Sequence, residues 1–164
     1  MSHRSPNTVN QAGIIALSIF ATMLPSFSCA GELPTIDAIM VRLLYERTGS
    51  VSPNIAPPSN FGYWNTPIGE GDAAEPANDL LVQIELSIAD DQANVATPLR
   101  VTVSSKEGKV LSQRTFESLF FSGGKVVKSL FVPDASCADI AAKAAIGDNG
   151  NTTRVNLECG EWFG

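Results

Sequence analysis

The chain has 164 residues, with 17 acidic side chains against 11 Lys and Arg and a formal net charge of −6 at pH 7. This acidity argues against sequence-independent nucleic-acid binding and against docking on anionic lipid, because both depend on many Lys and Arg. The length suits one domain with a hydrophobic core of its own.

The N-terminus predicts a secretory signal peptide over residues 1–30. Residues 1–13 carry Arg4 and no acidic residue, residues 14–24 are apolar, and small residues lead up to Ala30. Signal peptidase recognises this order of features, and the apolar run is too short to span a bilayer. Cleavage leaves residues 31–164 as a single domain, which we expect to be periplasmic or secreted, without membrane insertion.

Lipid attachment at Cys29 is the alternative interpretation of this N-terminus. The large side chain of Phe27 lies in the stretch before Cys29 where lipoprotein signals carry small residues. Cleavage after Ala30 is therefore preferred, and it removes Cys29 together with His3, the only histidine of the chain.

The mature chain keeps two cysteines, Cys137 and Cys159. An oxidising compartment favours a structural disulfide between them, which adds about 3 kcal/mol by the chain-entropy estimate. A zinc site needs more ligands than these two, and a redox role normally uses Cys-x-x-Cys, which is absent from the sequence.

The first predicted element covers residues 36–47, where the apolar pattern fits both a strand and a helix. Ile39, Val41, Leu43 and Tyr45 would share one face of a strand, and the β-branched and aromatic content favours that choice. Residues 52–78 are rich in Pro and Gly, so we expect a long loop without regular structure that connects this strand to the main sheet.

Strand signals are clear from residue 79 onward. Residues 80–88 alternate apolar and polar side chains, which predicts one buried and one solvated face. Residues 99–104 and 109–116 predict a hairpin, and residues 119–121 and 126–132 predict a second hairpin. The last predicted strand covers residues 154–159.

The alanine-rich segment 135–146 fits either a strand or a short helix, and we prefer the strand. A hairpin centred on Asp148 would pair it with the last strand, but Ile140 would then lie opposite Asn156 rather than Leu157. The strand interpretation therefore predicts a β-bulge.

Short strands at spacings of about ten residues predict an all-β fold. We expect a single β-sandwich of about seven strands, immunoglobulin-like or transthyretin-like, with a short helix at 135–146 as the alternative for that segment.

The aromatic stretch within the long loop is the main candidate for partner binding. Phe61, Tyr63, Trp64 and Asn65 combine apolar rings with polar edges, which suits contact with a sugar ring or a partner's pocket. The competing interpretation is that the rings fold back to cover an open end of the domain.

Acidic residues in the same loop are weaker candidates. Glu70, Asp72 and Glu75 supply oxygens of the kind that calcium prefers, but their spacing matches no ordered calcium loop. The same carboxylates could serve a hydrolase, since glycoside hydrolysis needs no histidine. No cofactor is expected.

These patterns favour an exported, non-enzymatic binding module that engages a protein or glycan of the envelope or extracellular space. The first alternative is a structural subunit of an envelope or extracellular assembly that docks through edge strands. The second alternative is a small carboxylate-dependent hydrolase.

Overall fold

The computed structural model describes residues 32–64, 67, 69–135, 137 and 139–157. Contacts divide the chain into residues 1–30 and residues 31–164, and every described residue belongs to the second unit. The predicted signal peptide, including His3 and Cys29, lies outside the described residues. In the described part of the chain, no helix has the length and hydropathy needed to cross a membrane.

The described residues form eleven β-strands and no helix, and all strand pairs are antiparallel. Seven strands have seven or more residues and four have two. The strands are β1 Thr35–Leu44, β2 Tyr63–Trp64, β3 Glu70–Gly71, β4 Asp79–Ser87, β5 Asn94–Val95, β6 Leu99–Ser105, β7 Val110–Phe116, β8 Leu119–Phe120, β9 Lys125–Val132, β10 Asp139–Ile146 and β11 Asn149–Asn156.

The longer strands belong to two sheets. One sheet has the order β1-β4-β9 and the other β11-β10-β6-β7, while β2-β3 and β5-β8 form two small pairs. The predicted all-β class is therefore confirmed for the described residues.

Alternating apolar side chains from both larger sheets meet in one hydrophobic core. Along β4, β6 and β10, and over the second half of β1, buried side chains alternate with more exposed ones, which is the pattern expected for a sheet with one covered face. The buried strand residues include Ile39, Val41, Leu43, Leu80, Val82, Ile84, Leu86, Leu99, Val101, Val103, Leu130, Val132, Ile140, Ala142, Ala144, Ile146 and Val155.

The first predicted element is a strand, and its predicted inner face is correct. Residues 51–55 run along the outer edge of β1 and supply hydrogen bonds that another strand would otherwise make. The backbone N–H of Leu43 donates to Ser52 Oγ at 2.9 Å, and that of Val41 donates to Asn54 Oδ1 at 2.9 Å. Ser52 N–H donates in turn to the Leu43 carbonyl at 3.0 Å.

The expectation that residues 52–78 contain no regular element is wrong. Strands β2 and β3 pair within this segment, with Tyr63 opposite Gly71 and Trp64 opposite Glu70. Proline excludes a continuous strand here, but the proline-free stretches on either side of Pro67 are long enough for a two-residue ladder. The segment does connect β1 to its sheet neighbour β4, as expected.

The predicted β6-β7 hairpin is confirmed, whereas the predicted second hairpin is wrong. Strand β8 pairs with β5, and β9 pairs with β4 along its whole length. Only an isolated bridge between Ser122 and Lys125 joins the two segments that the hairpin would have paired. Gly123 and Gly124 both have positive φ, so the chain turns there and β9 joins β4.

Segment 139–146 is the strand β10, but the expected β-bulge is absent from the described β10-β11 pair. Ile140 lies opposite Val155, and the register continues unbroken to Ile146 opposite Asn149. The reason is a two-residue turn in which Gly147 has a φ of 54°, which suits the first position of a type II′ turn. This turn shifts the register by one residue and extends β11 back to residue 149 instead of the predicted 154.

Candidate functional site

The segment that carries Phe61, Tyr63 and Trp64, which we call the aromatic loop, contains the β2-β3 pair. Asp72 closes the base of this small hairpin. Asp72 N–H donates to the Gly62 carbonyl at 2.6 Å, and Gly62 N–H donates to Asp72 Oδ2 at 2.8 Å. The Asp72 carboxylate therefore has a structural partner at the base of the β2-β3 pair.

Gly69 allows this hairpin to pack against the segment that leads into β4. Its φ is 81°, and a Cβ atom added there would lie 2.5 Å from the Glu75 carbonyl carbon and 2.6 Å from the Pro76 nitrogen. Only glycine tolerates both this backbone conformation and this approach.

Phe61 and Tyr63 hold the loop on the body of the domain. Both side chains are half-buried and pack against the core, with their ring centroids 6.1 Å apart. The Tyr63 hydroxyl donates to the Asn156 carbonyl of β11 at 2.8 Å. Trp64 contributes its backbone to β2, and Asn65 lies outside the described residues.

The three carboxylates considered for calcium are not gathered into one site. Glu75 is buried, and its Oε2 lies 3.2 Å from Arg47 Nε, while Asp72 closes the hairpin and Glu70 pairs through its backbone in β3. Within the described residues, no group of three or more His, Cys, Asp or Glu side chains is placed to hold a metal ion.

A cleft of about 600 Å³ lies at the end of the β6, β10 and β11 strands. Its described lining combines apolar side chains with hydroxyl, acidic and basic groups, which is typical of ligand-binding clefts. The lining comprises Pro57, Ser104, Ser105, Lys106, Gly108, Asp139, Ile140, Ala141, Arg154, Val155 and Asn156.

The strand register explains how these side chains come together. Ser104, Ala141 and Arg154 lie side by side across the three strands, so they share one face of the sheet. At the rim, Lys106 Nζ lies 3.2 Å from Asp139 Oδ2, and Lys106 N–H donates to the Asp139 carbonyl at 2.8 Å. The cleft is therefore lined by one ion pair, Lys106 with Asp139, and by an additional cation, Arg154.

The cleft and the aromatic loop are neighbours. Asn156, which lines the cleft, accepts the hydrogen bond from Tyr63, so the loop borders the cleft at the end of β11. The sequence pattern pointed to the loop but not to the cleft, because the cleft residues come from separated segments that only strand pairing brings together.

The hairpin tip beside the cleft carries a stabilised carboxylate. Ser105 Oγ donates to Glu107 Oε2 at 2.7 Å, and this hydrogen bond lowers the pKa of Glu107 below its ordinary value. The group is fully exposed, so it remains an anion at neutral pH without contributing to the core.

Cys137 lies in the connection before β10 and has a φ of 62°. Both cysteines that could pair with it, Cys29 and Cys159, lie outside the described residues. The Cys137–Cys159 pairing therefore stays a prediction.

No protein-family model matches this chain, and no curated protein matches it. The functional argument therefore depends on the residues of the chain itself.

Proposed function

We propose that this protein is an exported, non-enzymatic binding module that engages a protein segment or a glycan through the cleft and the adjoining aromatic loop. The observation that carries the proposal is the cleft itself, whose apolar floor and charged rim lie next to Tyr63. A ligand with an apolar face and hydrogen-bonding edges suits such a lining. The volume of about 600 Å³ accommodates a few sugar or peptide residues.

We infer that the two larger sheets stack as an immunoglobulin-like β-sandwich. The orders β1-β4-β9 and β11-β10-β6-β7 correspond to strands A-B-E and to G-F-C with one added strand. Side chains from both sheets share one core, which supports this arrangement. In such folds the loops at the ends of the sandwich commonly bind partners.

Export and a Cys137–Cys159 disulfide are part of the same proposal. The signal-like residues 1–30 support export, and an oxidising compartment would favour the proposed disulfide. In the proposed folded domain, this crosslink tethers the start of β10 near the cleft to the C-terminal residues.

A binding screen with cleft variants tests this function. The purified protein is applied to a glycan array and to a displayed peptide library, and any ligand is then titrated against Arg154→Ala and Ala141→Trp. The first change removes the cation beside the ion pair and the second fills the cleft. We expect each change to weaken binding roughly tenfold or more.

Lys143→Ala is the matched control, because Lys143 is exposed on β10 two positions beyond Ala141 and does not line the described cleft. Thermal unfolding of each variant checks that the fold is kept. A ligand that binds the filled cleft of Ala141→Trp as tightly as the parent would contradict the proposal.

A second candidate function, a subunit of an extracellular assembly, is favoured by one observation on the sheet edges. Residues 51–55 cover β1, whereas Arg114 of β7 and Lys128 of β9 lie opposite the core residues Val101 and Ile84. Charged side chains that point inward on an edge strand oppose strand addition. Among the described residues, β11 is the remaining edge of the two larger sheets, apart from its end at Asn156, which Tyr63 contacts.

Thr152→Pro tests docking at β11. Thr152 N–H donates to Asn151 Oδ1 at 2.8 Å, so it faces away from β10, and proline would block an added strand without breaking the β10-β11 ladder. Assembly measured by light scattering should be lost in this variant, and unchanged assembly would argue against an edge-strand subunit.

A further inference from the structure

The outward-facing backbone groups of β11 follow from the register of its hairpin with β10. Residues that lie opposite each other in an antiparallel pair alternate between those that exchange hydrogen bonds and those that do not. The N–H of Thr152 donates to Asn151 Oδ1, so Thr152, which lies opposite Lys143, belongs to the second kind. Gly150 and Arg154 lie two positions to either side of Thr152, so their backbone N–H and C=O groups also face away from β10.

The outer edge of β11 is bounded at both ends. The two-residue turn from β10 lies immediately before the strand, and at the other end the Tyr63 hydroxyl donates to the Asn156 carbonyl at 2.8 Å. The uncovered stretch is therefore residues 149–155, and Thr152 is its central residue. Among the described residues, no other strand pairs with this edge.

These limits make the edge complementary to itself. A two-fold axis at Thr152 would place a second β11 antiparallel to the first, with the two Thr152 residues opposite each other. Gly150 of each copy would then lie opposite Arg154 of the other, and residues in such positions exchange both backbone hydrogen bonds. The hairpin turn of each copy would lie opposite Asn156 of the other, so the paired stretch ends where Tyr63 covers the edge.

The side chains of β11 also fit this register. Arg154 of one copy meets Gly150 of the other, which has no side chain to crowd it, and the two Thr152 side chains form a favourable cross-strand pair. On the core-side face, Asn151 lies opposite Thr153, an amide beside a hydroxyl. Strand β11 contains no acidic residue in a chain with a net charge of −6, so self-pairing brings no carboxylates face to face.

The other edges of the two larger sheets are protected against strand addition. Residues 51–55 cover β1, and Arg114 of β7 and Lys128 of β9 point inward. The core-side residues of β11 are uncharged, so this edge lacks the protection that keeps edge strands from pairing. Of the long edge strands that the described chain presents, β11 is thus the one that can pair with β11 of another copy.

We propose that two copies of this chain pair antiparallel through β11 about a two-fold axis at Thr152, which joins two β11-β10-β6-β7 sheets into one continuous sheet. The inference rests on the second candidate function, docking at β11, and adds the partner and the register. The closed two-fold arrangement uses the same edge on both copies and leaves no open β11 edge for further growth. It also brings Gly150 of each copy beside Arg154, which lines the cleft of the other.

Light scattering on the purified protein over a concentration series tests the partner. The parent should reach the mass of two chains and no higher mass. Thr152→Pro should stay at the mass of one chain, because proline has no N–H to donate to an added strand. Lys143→Ala is the control, since Lys143 lies opposite Thr152 on the interior strand β10, and this variant should dimerise like the parent. Circular dichroism checks that each variant is folded.

Oxidative crosslinking tests the register without a proline. In Thr152→Cys the two introduced residues lie opposite each other, with Cα atoms about 5.5 Å apart, which is within the range of a disulfide. In Gly150→Cys they are four positions apart along the strand, about 14 Å, which is too far. Gly150 has room for the change, because an added Cβ would lie 3.6 Å from the nearest atom, the Ala144 carbonyl oxygen. Mass spectrometry after digestion should find position 152 joined to its own copy only in Thr152→Cys.

Each remaining outcome overturns the proposal. A parent that keeps the mass of one chain up to its solubility limit excludes the second copy. If β11 then binds a different protein that Thr152→Pro releases, the second candidate function stands without self-pairing. A Thr152→Pro variant that still dimerises would place the interface elsewhere, and a crosslink in Gly150→Cys but not in Thr152→Cys would refute the register. No cleft residue is changed, so failure here leaves the proposed cleft function untouched.

Discussion

Replacing Ser52 with alanine should destabilise the domain because the hydroxyl of Ser52 acts as a strand partner for β1. Ser52 is 1% exposed, and its Oγ accepts the backbone N–H of Leu43 at 2.9 Å while donating to the Pro53 carbonyl at 2.7 Å. In Ser52→Ala the N–H of Leu43, itself in the core, loses its acceptor.

The expected cost follows from this buried donor. An unsatisfied buried N–H costs about 1–3 kcal/mol of the free energy of unfolding. For a domain of this size, 1 kcal/mol corresponds to a change of about 4 °C in Tm, so Tm should fall by roughly 4–12 °C.

Urea titration and thermal unfolding followed by circular dichroism measure both quantities. Ser50→Ala is the matched control, because the Ser50 hydroxyl contacts only the exposed hydroxyl of Thr48 at 2.8 Å among the described residues. Its free energy of unfolding should stay within about 0.5 kcal/mol of the parent. A Ser52→Ala variant as stable as Ser50→Ala would refute the reasoning that a side chain completes the edge of β1.

Further predictions concern the loop and the hairpin tip beside the cleft. Gly69→Ala should lower the free energy of unfolding by roughly 2 kcal/mol, because the added Cβ overlaps the backbone of Glu75 and Pro76 and the positive φ is strained. Proteolysis within residues 61–76 should increase, and an unchanged urea midpoint would contradict this prediction. Tyr63→Phe should cost about 0.5–1.5 kcal/mol by removing the bond to Asn156, and a neutral effect would count against the anchoring role. Ser105→Ala should raise the Glu107 pKa towards its ordinary value in an NMR titration. Because folding lowers the pKa of Glu107, the ionised carboxylate stabilises the folded state at neutral pH. This stabilisation is lost as the pH falls through the pKa of Glu107 in the folded protein.

The alternation of apolar residues predicted β1, β4 and β6 and their buried faces correctly. This works because a strand with one covered face places every second side chain in the core whatever its neighbours are. The same local pattern contains no information about which strand pairs with which. The 119–121 segment was therefore assigned to a hairpin with β9, whereas β9 lies beside β4.

The alanine-rich β10 shows the limit of local propensity. Alanine favours helices in isolation, yet β10 lies between β6 and β11 and its inner side chains, including Ala142 and Ala144, are buried. Ladders on both sides override the intrinsic preference. Small side chains at these positions are compatible with a crowded interior.

The aromatic loop could be recognised from composition, but its roles could not. Phe61 and Tyr63 pack on the core, and Asp72 closes the hairpin instead of facing a ligand. The cleft has no sequence motif, since it combines residues from strands that are distant along the chain.

By itself the sequence determined the all-β class, the buried faces of β1, β4 and β6 and the acidity, together with the expectation of export, because these follow from composition and short-range periodicity. Tertiary structure alone decided the pairing order, the register after Gly147, and the meeting of Ser104, Ala141 and Arg154 in one row. The physical reason is that hydrogen bonds between strands depend on competition among all edges in the folded chain. No single segment carries that information.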